Sequence, residues 1–413
     1  MPETYTGDLD EEITARGNEL GTLLSDTVRI PSVTGEEPTV AEWYATWMRN
    51  HGWDVEMQPL EGTSFAASEV TVGARANVIG YPFGRPAPDS PVVVLNGHID
   101  VVPSGKTELW SGAPFDGRRE DGRVHGRGTV DMKGGIAAAL IALDTMRRRN
   151  ERPALLPVLH LVIGEETTGV GTRVALAAGG APTAAVILEP TNNTIITACT
   201  GLQFFRVATR GLAAHSSAPW RGVDALPRLL ALREALIDTA ARRSAAFTHP
   251  RFTDVPTGIP LTIGMLEAGS YRAAVPDSAS LTGRIGLRPG EDPAAARVEY
   301  EAALTAAIAG HPEEEEFPSA IEWQGEPYPG WDTADDADLV VAFQRALIEA
   351  GGSPELGGFT AGNDAGQYAA AGATTLVFGP GDAALAHTSD ESIAESEVML
   401  AARTVAAALV ALA

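Results

Sequence analysis

Short apolar runs of strand length punctuate this chain, and four of them lead into a histidine or a carboxylate. PVVVLNG runs into His98-Ile99-Asp100, LPVLHLVIG into Glu165-Glu166, AAVIL into Glu189, and TTLVF through GPGDAALA to His387. Runs that are apolar at nearly every position suit strands buried on both faces, the habit of a parallel sheet. Helical patterns alternate with them. One spans Pro38–Asn50, with Val40, Trp43, Tyr44 and Trp47 read as one face and Gly52 at its end; another runs from Gly134 to about Arg149. The expected fold class is therefore α/β, a mostly parallel sheet covered by helices.

Between about Leu202 and Gln324 the rhythm changes. Strand patterns at Gln203–Thr209, Pro260–Glu267, Ser280–Leu287 and Ser319–Gln324 enclose helical ones at Val223–Arg243 and Asp292–Ala309. That order, β-α-β-β-α-β, is the ferredoxin-like pattern. Beyond it the first rhythm resumes, with a helix over Leu339–Ala350, a strand over Thr374–Phe378 and a helix from Glu395 onward. The expectation is a discontinuous α/β domain, 1–201 and 327–413, interrupted by an inserted α+β lid or dimerisation domain, 202–326.

A length of 413 residues fits this division, and a net charge of −24 argues against nucleic acid or an anionic membrane surface as partner. No apolar run approaches the roughly 20 residues of a membrane helix, and MPETYTGDLDEE has no secretory pattern. A cytoplasmic protein is expected. Cys199 is the single cysteine, which excludes a cysteine-based zinc site, and its setting IITACTG reads as a buried strand.

In open α/β sheets ligands gather outside the carboxyl ends of the strands. The strand-end residues therefore define one candidate site, joined by Asp131 in the glycine-rich turn GRGTVDMKGG. Two imidazoles and a surplus of carboxylates form a ligand set for a pair of divalent metals, with one carboxylate left over as a base. His98 and Asp100 are two apart on an extended chain and share a face, so Asp100 can orient His98 as a ligand. Glu165 and Glu166 are adjacent and point apart, so one can bind metal while the other stays free as general base. Asp131, with two free oxygens, can bridge two metals. The mixed N/O set suits zinc, with cobalt or manganese as alternatives. HExxH, GxSxG and Walker A sequences are absent.

NGHIDVVP, GRGTVDMKGG, GEETTG, AAHSSAPWRGVDA and the late GPGD…AHTSDE resemble the M20 metallopeptidase family, which includes acetylornithine deacetylase, succinyl-diaminopimelate desuccinylase, aminoacylases and glutamate carboxypeptidases. The resemblance implies that His98 and Glu189 bind one metal, Glu166 and His387 the other, with Asp131 between them. It implies Glu165 as general base, Asp100 as the residue orienting His98, and a cis peptide at Asp131–Met132. His215 matches a family histidine that reaches the partner subunit's site and stabilises an oxyanion, so a homodimer through the inserted domain is expected. The implied reaction is hydrolysis of an amide in a small N-acyl amine or N-acyl amino acid. A dipeptidase or exopeptidase on the same centre is the alternative, and a non-catalytic amide- or metal-binding relative the third.

The substrate-facing segments depart from the family. GSYRAAVPD carries Ala273 near the place of the usual asparagine, and LTGRIGLRPGED carries Gly286 near that of the usual arginine. Arg272, Arg284 or Arg288 are candidates to substitute, Arg288 foremost. TAGNDAG replaces a Gly-Thr-Asp-Ala-Arg pattern and makes Asn363 a candidate substrate contact.

Overall fold

The structure is a computed structural model and describes residues 5–65, 74–87, 89–253 and 255–412. In chain order its elements begin with α1 (Tyr5–Ala15), α2 (Gly17–Val28), α3 (Pro38–Asn50), β1 (Asp54–Pro59), β2 (Ala76–Tyr81) and β3 (Val92–His98). There follow β4 (Arg119–Glu120), β5 (Arg123–His125), α4 (Gly134–Arg148), β6 (Leu156–Val162), α5 (Val170–Gly179), β7 (Ala184–Ile187) and β8 (Ile195–Cys199). Next come β9 (Gly201–Arg210), α6 (Leu226–Ala245), β10 (Thr262–Ala268), β11 (Ser278–Leu287), α7 (Pro293–Ile308), β12 (Ala320–Tyr328) and β13 (Trp331–Asp332). The last are α8 (Asp338–Glu349), β14 (Leu356–Phe359), α9 (Ala365–Ala370), β15 (Thr374–Val377), β16 (Ser392–Ala394) and α10 (Glu395–Ala411).

The chain forms two compact units. One comprises Met1–Thr197, Thr333–Gly357 and Asn363–Ala413; the other comprises Ala198–Asp332 and Gly358–Gly362. The inserted unit is thus wider at both ends than 202–326 and takes in the short segment ahead of Asn363.

In the first unit β6, β3, β7 and β15 lie side by side and parallel, and β1 and β2 extend the sheet antiparallel beyond β6. The parallel centre follows from composition: β3 is buried from Val93 to His98 and β7 throughout. Helix α4 (GGIAAALIALDTMRR) is buried from Gly134 to Met146 and turns basic only in its last turn, where Arg147 and Arg148 face the negative end of the helix dipole. Helix α3 starts at Pro38, whose fixed φ suits a first helical position. Its buried face is Val40, Ala41, Tyr44, Ala45 and Met48. Trp43 and Trp47 are half-buried at the edge of that face, Trp47 stacking on His51 with ring centroids 3.7 Å apart. The two tryptophans therefore mark the flank of the stripe, and Tyr44 lies within it.

In the second unit the strand order is β10-β11-β9-β12, all neighbours antiparallel, with β9 and β11 in register from Arg210↔Ser278 to Gly201↔Leu287. This is the β-α-β-β-α-β arrangement read from the sequence. Phe205, Val207, Leu281 and Ile285 point to the face covered by Leu229, Leu232 and Leu236 of α6 and by Tyr300 and Leu304 of α7. Cys199 is buried, its thiol 2.9 Å from the Ala361 carbonyl. Among the described residues no helix is long and apolar enough to cross a membrane.

Candidate metal centre

Because β6, β3, β7 and β15 are parallel neighbours, their carboxyl ends line one edge of the sheet. His98 is the last residue of β3, Glu165 and Glu166 follow β6, Glu189 follows β7, and His387 arrives on the loop after β15. Asp131 comes to the same edge from the turn between β5 and α4, where the Asp131–Met132 peptide is cis.

Asp131 is the hub. Its Oδ1 lies 2.9 Å from His98 Nε2 and its Oδ2 3.2 Å from His387 Nε2, so its two oxygens serve two different imidazoles. Glu189 Oε1 lies 3.8 Å from the same His98 nitrogen, and Glu166 Oε2 lies 3.1 Å from the same His387 nitrogen. Ligand-capable atoms of His98, Glu165 and Glu189, and of His98, Asp131 and Glu166, converge within 4.8 Å of one another. Glu166 Oε1 is buried without a hydrogen-bond partner. All these side chains are buried or nearly so except His387, which is 52 % exposed and forms the open side of the cluster.

Electrostatics explains why such a cluster calls for cations. Burial pushes the Glu165 and Glu189 carboxyls well above their ordinary values, and the neighbouring carboxylates push further, against the pull of His98. His387 is raised to about 10 by hydrogen bonds to Asp131 and Glu166. Burial alone would depress His98, but the bond to Asp131 and the charges of Glu189, Asp131 and Asp100 lift it well above the usual imidazole value. Asp131 is held low by the two imidazoles despite its burial. An orphaned carboxylate oxygen, crowded carboxylates and two imidazole nitrogens on one carboxylate are a donor set that fits divalent metal ions.

The second layer differs in detail from the sequence reading. His98 Nδ1 lies 2.8 Å from the backbone carbonyl of Asp100 and 3.7 Å from its carboxylate, so the nearer orienting group is the main chain. The Asp100 carboxylate instead accepts the N–H groups of Glu165 and Glu166 at 3.2 and 3.3 Å and the Thr34 hydroxyl at 2.8 Å. It thereby fixes the turn that carries both glutamates. Asp364, one residue past Asn363, is fully buried, accepts from Thr172 at 2.7 Å and Gln367 at 2.8 Å, and is raised by burial to about 6. Its charge reaches Glu165 and Glu189. The sequence reading passed over Asp364 because a single carboxylate has no spacing signature; its position inside TAGNDAG was the available signal.

Asn363 is buried; its Oδ1 accepts the Ala365 N–H at 3.0 Å, while its Nδ2 has no partner. His215 and Arg288 belong to the second unit. His215 is exposed, and its Nδ1 accepts the Ser217 N–H at 3.1 Å and faces the Ser217 hydroxyl at 2.8 Å. An accepting Nδ1 puts the proton of the neutral ring on Nε2. Arg288 is half-exposed and shares Glu291 with Arg243, Arg288 at 3.8 Å and Arg243 at 2.6 Å. Among the other histidines, His160 bonds Tyr368 at 2.9 Å, and His51 and His249 are half-buried.

Fold and site together define a metal-dependent amidohydrolase or peptidase. The chain belongs to peptidase family M20/M25/M40, whose family model matches residues 94–411. It is 32% identical over 325 residues to a probable carboxypeptidase of Aspergillus terreus, covering 76% of this chain and 70% of that one. It is 26% identical over 332 residues to the N-formyl-4-amino-5-aminomethyl-2-methylpyrimidine deformylase of Halalkalibacterium halodurans, covering 76% and 77%. In fold it is similar to the Bacillus subtilis YXEP protein, described as a dinuclear metal binding peptidase from the M20 family, with a TM-score of 0.68 at 15% identity over 96% of this chain and 98% of that one.

Proposed function

We propose that this protein hydrolyses the amide bond of a small N-acyl amine or N-acyl amino acid, with two divalent metals, zinc foremost, and with Glu165 as general base. The observation that carries the reading is the division of Asp131 between His98 and His387, each imidazole having a second carboxylate, Glu189 or Glu166. In this reading His98 and Glu189 hold one metal, Glu166 and His387 the other, and Asp131 lies between. Metals bound there supply positive charge that acidifies water and polarises the scissile carbonyl. Glu165, its carboxyl raised by burial, accepts the proton of the attacking water as the C–O bond forms, and returns it to the nitrogen as the C–N bond breaks. His215, its neutral ring carrying the proton on Nε2, donates to the oxyanion in the partner subunit's site of a homodimer. Asn363 and Arg288 contact the substrate.

We further propose a homodimer through the inserted unit. Strand β10 supports this reading: it is an edge strand, exposed along its length apart from Ile263, and carries Met265 at 59 % and Leu266 at 47 % exposure. Sedimentation that finds a fully active monomer contradicts it.

Similarity to a probable carboxypeptidase favours an exopeptidase as the second reading. The two separate on products. Chelator-treated protein reloaded with zinc, cobalt or manganese is offered N-formyl, N-acetyl and N-succinyl amines and amino acids beside dipeptides, with products identified by mass spectrometry. Release of a short carboxylic acid supports the deacylase; turnover of dipeptides alone supports the exopeptidase. Turnover that ignores chelator removes both.

A further inference from the structure

Strands β5 and β16 form an antiparallel ribbon, Ser392 opposite His125 and Ala394 opposite Arg123. The chain leaves β5 toward Asp131 and enters β16 from His387, so both ligand-bearing loops spring from the same end of one ribbon. Glu391 sits at that end and is fully buried. Its Oε1 accepts the backbone N–H groups of Gly128, Val130 and Asp131 at 3.0, 2.8 and 3.3 Å, and its Oε2 accepts from Arg127 at 2.6 Å. Its own carbonyl accepts the Gly126 N–H at 2.9 Å. Arg127 is buried too, with its guanidinium 5.3 Å from the Trp110 ring. The neighbouring Asp390 accepts the Ser111 N–H at 2.6 Å.

One side chain on the His387 loop therefore collects the amides of the Asp131 loop. We infer that Glu391 is a positioning residue that couples the bridging carboxylate Asp131 to the ligand His387 and sets the geometry in which the pair takes up metal. A carboxylate is needed because it offers two acceptor oxygens, one for the three amides and one for the guanidinium. A glutamine has a single acceptor oxygen and can satisfy the amides or Arg127, not both. Glu391 touches neither substrate nor metal in this assignment; it acts through the loop. The inference rests on the metal-centre reading above.

The test is metal titration by calorimetry on the full-length protein, comparing wild type, Glu391→Gln and Arg123→Gln. Arg123 holds the same ribbon through Ser392, at 2.8 Å to its carbonyl, but contacts neither ligand loop. Glu391→Gln is expected to weaken zinc binding about 10–100-fold, the usual effect of losing a partner behind a ligand, with a matching change in the visible spectrum of the cobalt-loaded protein. Arg123→Gln is expected to bind zinc as wild type does. Unchanged zinc affinity in Glu391→Gln, whatever its melting temperature, overturns the inference, because a purely structural residue would move stability alone. Equal weakening in Arg123→Gln also overturns it, by assigning the effect to a loosened ribbon. Failure of the wild type itself to bind metal counts instead against the metal-centre reading.

Discussion

The Asp131 turn and the His215 segment each present a polar side chain on a loop, and they are held in opposite ways. Asp131 has both oxygens engaged by imidazoles and its backbone N–H held by Glu391. His215 is exposed, its ring held among the described residues by Ser217 alone, on a segment whose backbone bridges Ala274. Its surroundings are solvent-facing as well: Trp220 is 77 % and Tyr271 66 % exposed. In the proposed reading Asp131 is a metal ligand, placed before the metal arrives and left little freedom for variation. A residue that meets substrate can remain solvated until binding, and its neighbours are free to change with the substrate.

Substitutions can break that contrast. The largest effect is expected from Glu165→Gln, which removes the base and keeps the shape: kcat should fall about 10²–10⁴-fold with metal content unchanged. Activity retained at the wild-type level would reassign the base. His215→Ala should lower kcat by about 10²–10³-fold, the effect of one oxyanion donor, with no change in melting temperature because the ring is exposed. A fall in melting temperature would show the segment to be as anchored as the Asp131 turn. Arg288→Ala should raise KM by about tenfold, as expected for a lost charged hydrogen bond, with kcat preserved. An unchanged KM would leave Arg288 as a partner of Glu291 only.

The smallest effect concerns pH and the pinned unit alone. Burial depresses His160 to about 4 from an ordinary 6.5. Between those values the unfolded chain binds the proton more tightly, so stability rises with pH. The contribution is complete above pH 6.5 and is lost as pH falls toward 4. Urea midpoints measured across that window should slope less in His160→Gln than in wild type; parallel slopes would assign the pH response to other groups.

The same contrast explains what could be read from sequence. Candidate site residues at strand ends are legible because a buried apolar run announces the strand and the residues at its end announce the site: His98 and Glu165-Glu166 are of this kind. The order of elements in the inserted unit was legible from alternation, as in Gln203–Thr209. Glu391 and Asp364 were not: Glu391 bonds residues more than 250 positions away, and Asp364, besides nearby Gln367, bonds Thr172, 192 positions away. The face of α3 read from periodicity holds in part: Val40 and Tyr44 are buried, together with Ala41, Ala45 and Met48, while Trp43 and Trp47 are half-buried. Helices α1 and α2 have no counterpart in the sequence reading: the acidic residues Asp8, Asp10, Glu11 and Glu12 interrupt α1, whereas α2 carries a buried face of Leu20, Leu23, Leu24 and Val28.

Strand β15 lies between β7 and β8, although β7 and β8 follow one another in the chain. Consecutive strands usually settle as neighbours, yet here a place must stay open for a strand made some 175 residues after Cys199. During synthesis His98, Asp131, Glu165, Glu166 and Glu189 leave the ribosome long before His387, and the whole inserted unit emerges in between. Five of the six candidate residues of the proposed centre thus exist on a sheet that still lacks its β15 strand. Completion of the proposed centre in the nascent chain awaits β15 and the His387 loop that follows it.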